Sequence, residues 1–433
     1  MPRKTAREFA VDVIRTLRGA GFEAYLAGGC VRDELLGLPP KDYDVATSAR
    51  PEQVRGLFMR TVAVGAAFGV IEVLGPRPIR VEVASFRTDG VYSDGRRPDS
   101  IVYSSAEEDA KRRDFTINGM FFDPVENRVI DYVGGQSDLG ARVLRAIGDP
   151  HARFHEDRLR ILRAVRIAAR FGLTIDPATE AAVRRMGPQL ARGVSAERIA
   201  DELRKMLVDR HRAAAMRLLM DLGLAAVVMP ELVPMCGLPQ GLPRPDGPPL
   251  PPPGRPGPPV TATGATMRDL WEHVLAALGH LEEPSFPLAM ATLLHDVGKP
   301  RTVGRTPDRY TFHGHEHVGA RMAGDICRRL KLSTDDRERI EWLVEKHQIL
   351  ADVARMRPAK LKRLFVHRGI DELFDLHRRR AGQRPATRPR RTRRPPAARV
   401  DGGRHPVPAS AEHRRRPAGP RPGAGTRVSY PAR

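Results

Sequence analysis

The sequence predicts an α+β chain, with a mixed α/β head followed by two all-helical regions. Three observations carry this. Between residues 24 and 140, short β-branched runs such as Ile71–Leu74 and Ile79–Ala84 alternate with turns and helical pieces. From about Glu156 to Leu232, and again over 266–377, apolar residues recur at helical spacing. Between the helical stretches, residues 239–260 hold 11 prolines, too many for a helix or a central strand.

Each element has a local reason. Residues 7–17 alternate charged and apolar groups as an amphipathic helix does. Leu159, Leu162, Arg163, Val165, Arg166, Ala169 and Arg170 fall on helical spacings, so apolar and arginine faces interleave. Ser195 followed by Glu197 and Ile199 predicts a capped helix running to about Val208. The divisions are a mixed α/β head over 1–148, a helical neck and body over 149–237, and a stiff proline-rich linker over 238–265. A helical domain over 266–377 and a tail over 378–433 complete the chain. There is no internal repeat.

The tail has no Leu, Ile, Phe, Met or Trp, so it cannot build a core and is expected to be disordered. It begins abruptly after the regular helical pattern Glu372–His377. Either a wrong reading frame in a GC-rich gene or an Arg/Pro-rich RNA-binding tail explains it; resequencing the 3′ end decides. Its 17 arginines against Asp401 and Glu412 carry +15 of the formal net charge of +21, leaving +6 for the rest. The body thus permits an RNA partner without demanding one. No stretch has the ~18 uncharged apolar residues of a membrane span, and residues 7–17 are not a signal-peptide core. Cys30, Cys236 and Cys327 are too few and scattered for a disulfide framework or a zinc quartet, which points to a reducing cytoplasm. Oligomeric state is not legible.

The strongest chemical signal is Gly28-Gly29-Cys30-Val31-Arg32-Asp33 followed by Asp42-Tyr43-Asp44. Carboxylates at i and i+2 of a strand share a face. Such a pair suits hard divalent cations of the Mg²⁺ type, and two ions of that kind activate a hydroxyl and steady a leaving pyrophosphate. Gly28 and Gly29 let backbone N–H groups approach phosphate closely, with Arg32 adding charge. Glu82, in Arg80-Val81-Glu82-Val83-Ala84, alternates correctly for a third acid; the other reading is a surface strand acid.

With these residues in view, Gly28–Ser48 resembles the signature of the polymerase-β-type nucleotidyltransferases. The likeness is to their bacterial class, the CCA-adding tRNA nucleotidyltransferases and their poly(A) polymerase relatives. Three further stretches match in order. Arg112 to Asn118, with Arg113 and Asp114, resembles the motif that contacts sugar and phosphates. Glu156-Asp157-Arg158-Leu159-Arg160, continuing to Arg163 and Arg166, resembles the motif that reads the base. Ala196–Leu207 resembles the helical motif that follows. The resemblance covers about residues 20–235. It implies Asp42, Asp44 and Glu82 as catalytic residues, with Asp42 and Asp44 holding Mg²⁺. It also implies CTP and ATP as substrates and the 3′ end of the tRNA acceptor arm as partner.

Asp157 and Arg160, three apart on an expected helix, would be neighbours on one face. A carboxylate accepting from an exocyclic amine beside a donating guanidinium fits C and A and rejects G and U. Arg163 and Arg166 continue that face toward phosphates. Val64–Ile71 looks like the tRNA-end-adding branch, and the loop Arg87–Pro98 like that of enzymes able to add the terminal A. An A-adding enzyme and a poly(A) polymerase stay open as alternatives.

In the last helical domain, His273 and then His295-Asp296 fit the start of an HD-type metal phosphohydrolase pattern. His313, His315 and His317 are additional candidates for a second divalent metal. The closing Asp is missing from Glu345-Lys346-His347-Gln348, and Asp352 is a poor substitute. Two readings follow: a metal site, whose strongest form makes the chain an HD phosphohydrolase, or a structural domain with hydrogen-bonded histidines. A non-catalytic RNA-binding protein driven by the tail is a third class.

Overall fold

A computed structural model describes residues 4–65, 69–76, 78–89, 101–240, 268–306 and 310–380. Most of the loop expected over 87–98, the proline-rich segment beyond 240 and the tail beyond 380 therefore lie outside the described residues, as does the centre of Val64–Ile71.

The head starts with α1 (Ala6–Gly19), held at its N-terminus by a capping box between Thr5 and Glu8. Then come β1 (Ala24–Ala27), α2 (Gly29–Leu35), β2 (Asp44–Thr47), α3 (Pro51–Leu57), β3 (Thr61–Gly65), β4 (Val70–Leu74) and β5 (Arg80–Ser85). The hairpin β6 (Arg87–Asp89) and β7 (Ile101–Tyr103), α4 (Ala106–Lys111), β8 (Phe121–Asp123), β9 (Arg128–Ile130) and α5 (Gly135–Gly140) complete it. Seven strands form one sheet in the order β3-β4-β5-β2-β1-β8-β9. The pairing β2·β5 is parallel and its register sets Asp44 beside Glu82; the other pairs in this sheet are antiparallel. Strand β5 alternates as expected, with Val81, Val83 and Ser85 buried and Arg80 and Glu82 exposed.

The neck comprises α6 (Pro150–Glu156), α7 (Leu159–Phe171), α8 (Pro177–Met186), α9 (Leu190–Gly193), α10 (Ala196–Val208), α11 (Arg212–Asp221) and α12 (Ala225–Val228). Helix α10 has the expected bounds, with the Ser195 hydroxyl accepting from the Arg198 N–H. The last domain comprises α13 (Leu270–Gly279), α14 (Phe286–Leu294), α15 (Lys299–Thr302), α16 (His315–Arg329), α17 (Thr334–Lys346), α18 (Pro358–Phe365) and α19 (Ile370–Arg380).

The last domain is seated directly on the neck. Pro239 and Gln240 pair with Asp269 and Arg268, so the two described ends of the proline-rich segment lie side by side. The buried Arg212 donates across the junction to the carbonyl of Leu281 at 2.8 Å and, within the neck, to that of Leu207 at 2.9 Å. Arg204 reaches Asp336 at 2.7 Å and stacks over Phe286 at 3.9 Å. Beneath these contacts one apolar cluster runs without a break from Ala10 in the head to Leu376 in α19.

Candidate active site

A cavity of about 900 Å³ lies where the head sheet meets α7 and α10. Its acidic floor is Asp42, Asp44 and Glu82. Asp44 opens β2, whereas Asp42 lies in the loop just before the strand, so the pair straddles the strand's start instead of both riding on it. Asp44 has solvent-reachable area but sits in a concave wall. Burial, then the neighbouring Glu82 charge, raises its carboxyl to about 6, with Asp42 adding and Arg113 opposing. Among the described residues, these three carboxylates do not close into a cluster within 4.8 Å. They remain hard oxygen donors on one wall, as divalent cations of the Mg²⁺ type require.

Beside them Gly28 turns the chain from β1 into α2 at φ +73°, a conformation that disfavours side chains. A Cβ there would also stand 3.0 Å from the Arg113 guanidinium. Arg32 is buried, bonded to Asp33 at 2.6 Å and to Asn118, with its guanidinium 4.2 Å from the Phe171 ring. Arg113 is held by Asp109 at 2.9 Å. The same buried carboxylate takes Arg112 at 2.7 Å, so Asp109 aims both guanidiniums of the pocket wall. Burial pushes Asp109 up, yet the two arginines outweigh it and hold the carboxyl low. Asp114 behaves likewise, held low by Arg163 at 2.8 Å and by Asn118 and the Phe115 N–H. Asp109 was not anticipated, although its i,i+4 spacing to Arg113 was a usable signal.

The expected Asp157/Arg160 helix face needs correction. Helix α6 ends at Glu156, and Asp157 takes extended angles, φ −148° and ψ 104°, before α7 starts at Leu159. The Asp157 carboxylate caps the Leu159 N–H and is gripped by Arg198 of α10 at 2.8 and 3.2 Å. Arg160 instead pairs with Glu156 and reaches the carbonyl of Arg153. Arg160, Arg163 and Arg166 line the cavity; Asp157 does not. Arg166 is bonded to the buried Glu202 at 2.6 Å.

The second cluster lies in the last domain. His295 and Asp296 are fully buried and His273 is partly so. His315 and His347 join them, while His313, His317 and Asp352 stand outside, the reverse of what a closing carboxylate would need. Nδ1 of His295, His315 and His347 each meets a carbonyl acceptor, at 2.8, 2.7 and 2.6 Å from Thr292, Phe312 and Val344. Those nitrogens must donate, which leaves each neutral ring's Nε2 an acceptor; that of His315 meets the Gln348 side-chain amide at 3.0 Å. The Nε2 atoms of His273 and His295 then face each other at 3.3 Å, as do those of His315 and His347. Burial, first of all, lowers His347 to about 4. Asp296, fully buried among them, takes Lys299 at 2.7 Å through one carboxylate oxygen, while its other oxygen is buried with no hydrogen-bond partner among the described residues. Imidazole nitrogens gathered around a buried carboxylate are a donor set that fits a cation.

Residues 24–145 match the family described as Poly A polymerase head domain, and residues 172–236 that described as "Probable RNA and SrmB- binding site of polymerase A". Residues 264–387 match the HD domain. By these matches, residues 24–236 are similar to the head and RNA-binding regions of the tRNA nucleotidyltransferases and poly(A) polymerases. An HD domain is appended to them, and families of both kinds depend on divalent metal. The chain is 45% identical over 204 residues to the CCA-adding enzyme of Enterococcus faecalis, which is 47% of this chain and 50% of that protein. It is 39% identical over 244 residues to poly(A) polymerase I of Haemophilus influenzae, which is 53% of each. The chain thus spans about half the length of the curated relatives it matches. The crystal structure of the Bacillus stearothermophilus CCA-adding enzyme in complex with CTP superposes with a TM-score of 0.62 at 27% identity, covering 88% of this chain and 80% of that one. The α+β class, with its sheet-bearing head and helical remainder, is as expected. No helix among the described residues is long and apolar enough to cross a membrane.

Proposed function

We propose that this protein adds C and A from CTP and ATP to the 3′ end of tRNA without a nucleic-acid template. The observation that carries the reading is the pairing of Asp44 with Glu82 at the floor of an arginine-walled cavity of nucleotide size. The relatives named as CCA-adding enzymes, and the superposable structure that holds CTP, support it.

In this reading the RNA 3′-hydroxyl oxygen bonds to the α-phosphorus of the nucleotide. The bond from that phosphorus to the bridging oxygen breaks and pyrophosphate leaves. Asp42 and Asp44 would hold Mg²⁺, which when bound makes the hydroxyl a better nucleophile and neutralises charge on the leaving group. Glu82 stands beside Asp44 to take the hydroxyl proton. Gly28 and Gly29 allow backbone N–H groups near phosphate, and Arg32, Arg113 and Arg163 add fixed positive charge. Asp114 holds Arg163 for that task, as Glu202 holds Arg166. Arg160, which lines the cavity, donates to the base edge, whereas Asp157 reads the base only by leaving Arg198, since it stands outside the cavity lining. The free thiols of Cys30, Cys236 and Cys327 fit a reducing cytoplasm.

Incubating the full chain with tRNA lacking its 3′ end and each labelled nucleotide tests this. Ordered addition of two C and one A is expected. A alone would indicate an A-adding enzyme, and a long A tract a poly(A) polymerase. No incorporation would overturn the reading.

The histidine cluster favours a second activity in the same chain, metal-dependent phosphate-ester hydrolysis in the HD domain. Its donors are rich in imidazole, so a transition metal suits it better than Mg²⁺. Elemental analysis of the full chain after loading with Mn²⁺, Ni²⁺ or Zn²⁺ and desalting should find metal retained, and His347→Ala should lose most of it. Equal, background-level metal in both would leave the domain a structural one.

A further inference from the structure

Four arginines follow one another along the cavity face of α7: Arg160, Arg163, Arg166 and Arg170. The first three are each paired closely with an acid: Glu156, Asp114 at 2.8 Å and Glu202 at 2.6 Å. Arg170 differs. Its acid is Asp209 at 3.8 Å, outside hydrogen-bond range, and its side chain is 38% exposed. Asp209 is engaged elsewhere, accepting from the His211 N–H at 2.8 Å and contacting its ring at 3.2 Å. The Arg170 guanidinium lies 5.2 Å from the Phe171 ring, and Arg32 lies 4.2 Å from the same ring. Two cations therefore share one phenyl ring. Arg32 already has Asp33, while among the described residues Arg170 has no acid in hydrogen-bond range. Burial lowers the Arg32 guanidinium first of all, and the like charge of Arg170 adds to that. Both arginines line the cavity that also holds Gly28 and Gly29. The arrangement is short of one anion, at a place that an anion entering the cavity can reach.

We propose that Arg170, seated beside Arg32 on the Phe171 ring, is a phosphate-binding residue of this cavity. Its ligand is a phosphate oxygen, either of the nucleotide's triphosphate or of the RNA's terminal linkage. This deepens the proposed function by adding a contact that none of its assigned motifs contains. On ligand entry Arg170 swings from Asp209 to phosphate, a short move for a long side chain whose described acid stands 3.8 Å away.

The test compares the full chain with Arg170→Gln and Arg170→Lys. Calorimetry with Mg²⁺ measures binding of CTP, inorganic pyrophosphate and tRNA lacking its 3′ end, so no turnover is needed. Arg170→Gln should weaken one of these ligands about tenfold, and Arg170→Lys should recover part of it. Parallel weakening of CTP and pyrophosphate places Arg170 on the triphosphate. Weakening of tRNA alone, with a salt slope shallower by about one, places it on the RNA. Affinities for all three ligands within twofold of the unmodified chain, with thermal melts unchanged, would overturn the proposal. A chain that binds CTP in an Arg170-dependent way but incorporates nothing would defeat the proposed function and leave this inference standing.

Discussion

Asp44→Asn should reduce nucleotide incorporation by about a thousandfold or more while making the protein harder to melt. The substitution keeps the shape of the side chain and removes the negative charge that a divalent ion needs. The effect on stability has the opposite sign for a physical reason. Burial and Glu82 raise the folded-state carboxyl from 3.8 to about 6. Between those two values the folded chain binds the proton more tightly than the unfolded chain does. Native stability therefore falls as pH rises through that window, and above about 6 the ionised carboxylate costs the fold its full amount. The asparagine escapes this cost. Thermal melts in EDTA should show Asp44→Asn above the unmodified protein at pH 7–8, with the difference closing below about pH 4. Equal melts at pH 7.5, or retained incorporation, would show that Asp44 is not a strained metal-holding carboxylate.

Gly298→Ala should be the most damaging small substitution in the HD domain. A Cβ at Gly298 would stand 2.2 Å from the His315 carbonyl oxygen and 2.7 Å from the Gly319 nitrogen. Both are backbone atoms, so no rotamer change relieves the clash and α15 must part from α16. The expected cost is about 3 kcal/mol or more. His295 and Asp296 precede this contact and His315 follows it, so metal retention should fall with stability. Gly279→Ala is the control, because its Cβ would meet Ala213 at an ordinary 3.8 Å. Differential scanning calorimetry with elemental analysis separates the two. A melt for Gly298→Ala within a degree of the control's would contradict the close packing of α15 on α16.

What was legible in the sequence was local. Strands β4 and β5 and the Ser195-capped α10 follow from alternation, helical spacing and one hydroxyl, all read within a few residues. The glycine pair and the aspartates were visible as a motif, but the position of Glu82 beside Asp44 needed a parallel pairing that alternation alone does not specify. Asp157 was misplaced because helical spacing runs smoothly through Glu156–Arg160. The break there is fixed by Arg198, 41 residues away, and by the carboxylate's own cap on Leu159. His347 escaped notice for two reasons. An imidazole stands where a carboxylate was sought, and its approach to His315 depends on how α16 packs on α17. Tertiary partners such as Glu202 and Asp109 were missed because both look like ordinary helix-surface acids until the facing arginine is known.

Helix α10 has a double allegiance. Glu202 holds Arg166 and Lys205 lines the same cavity, whereas Arg204, between them in sequence, is bound to Asp336 and Phe286 of the HD domain. With Pro239–Gln240 stitched to Arg268–Asp269 and a shared apolar interior, the proline-rich segment divides the gene product on paper only. A break in the backbone between residues 241 and 267 is therefore expected to leave two polypeptides held together by these contacts. The HD domain is then less a passenger than a buttress, joined through α10 to the wall of the cavity.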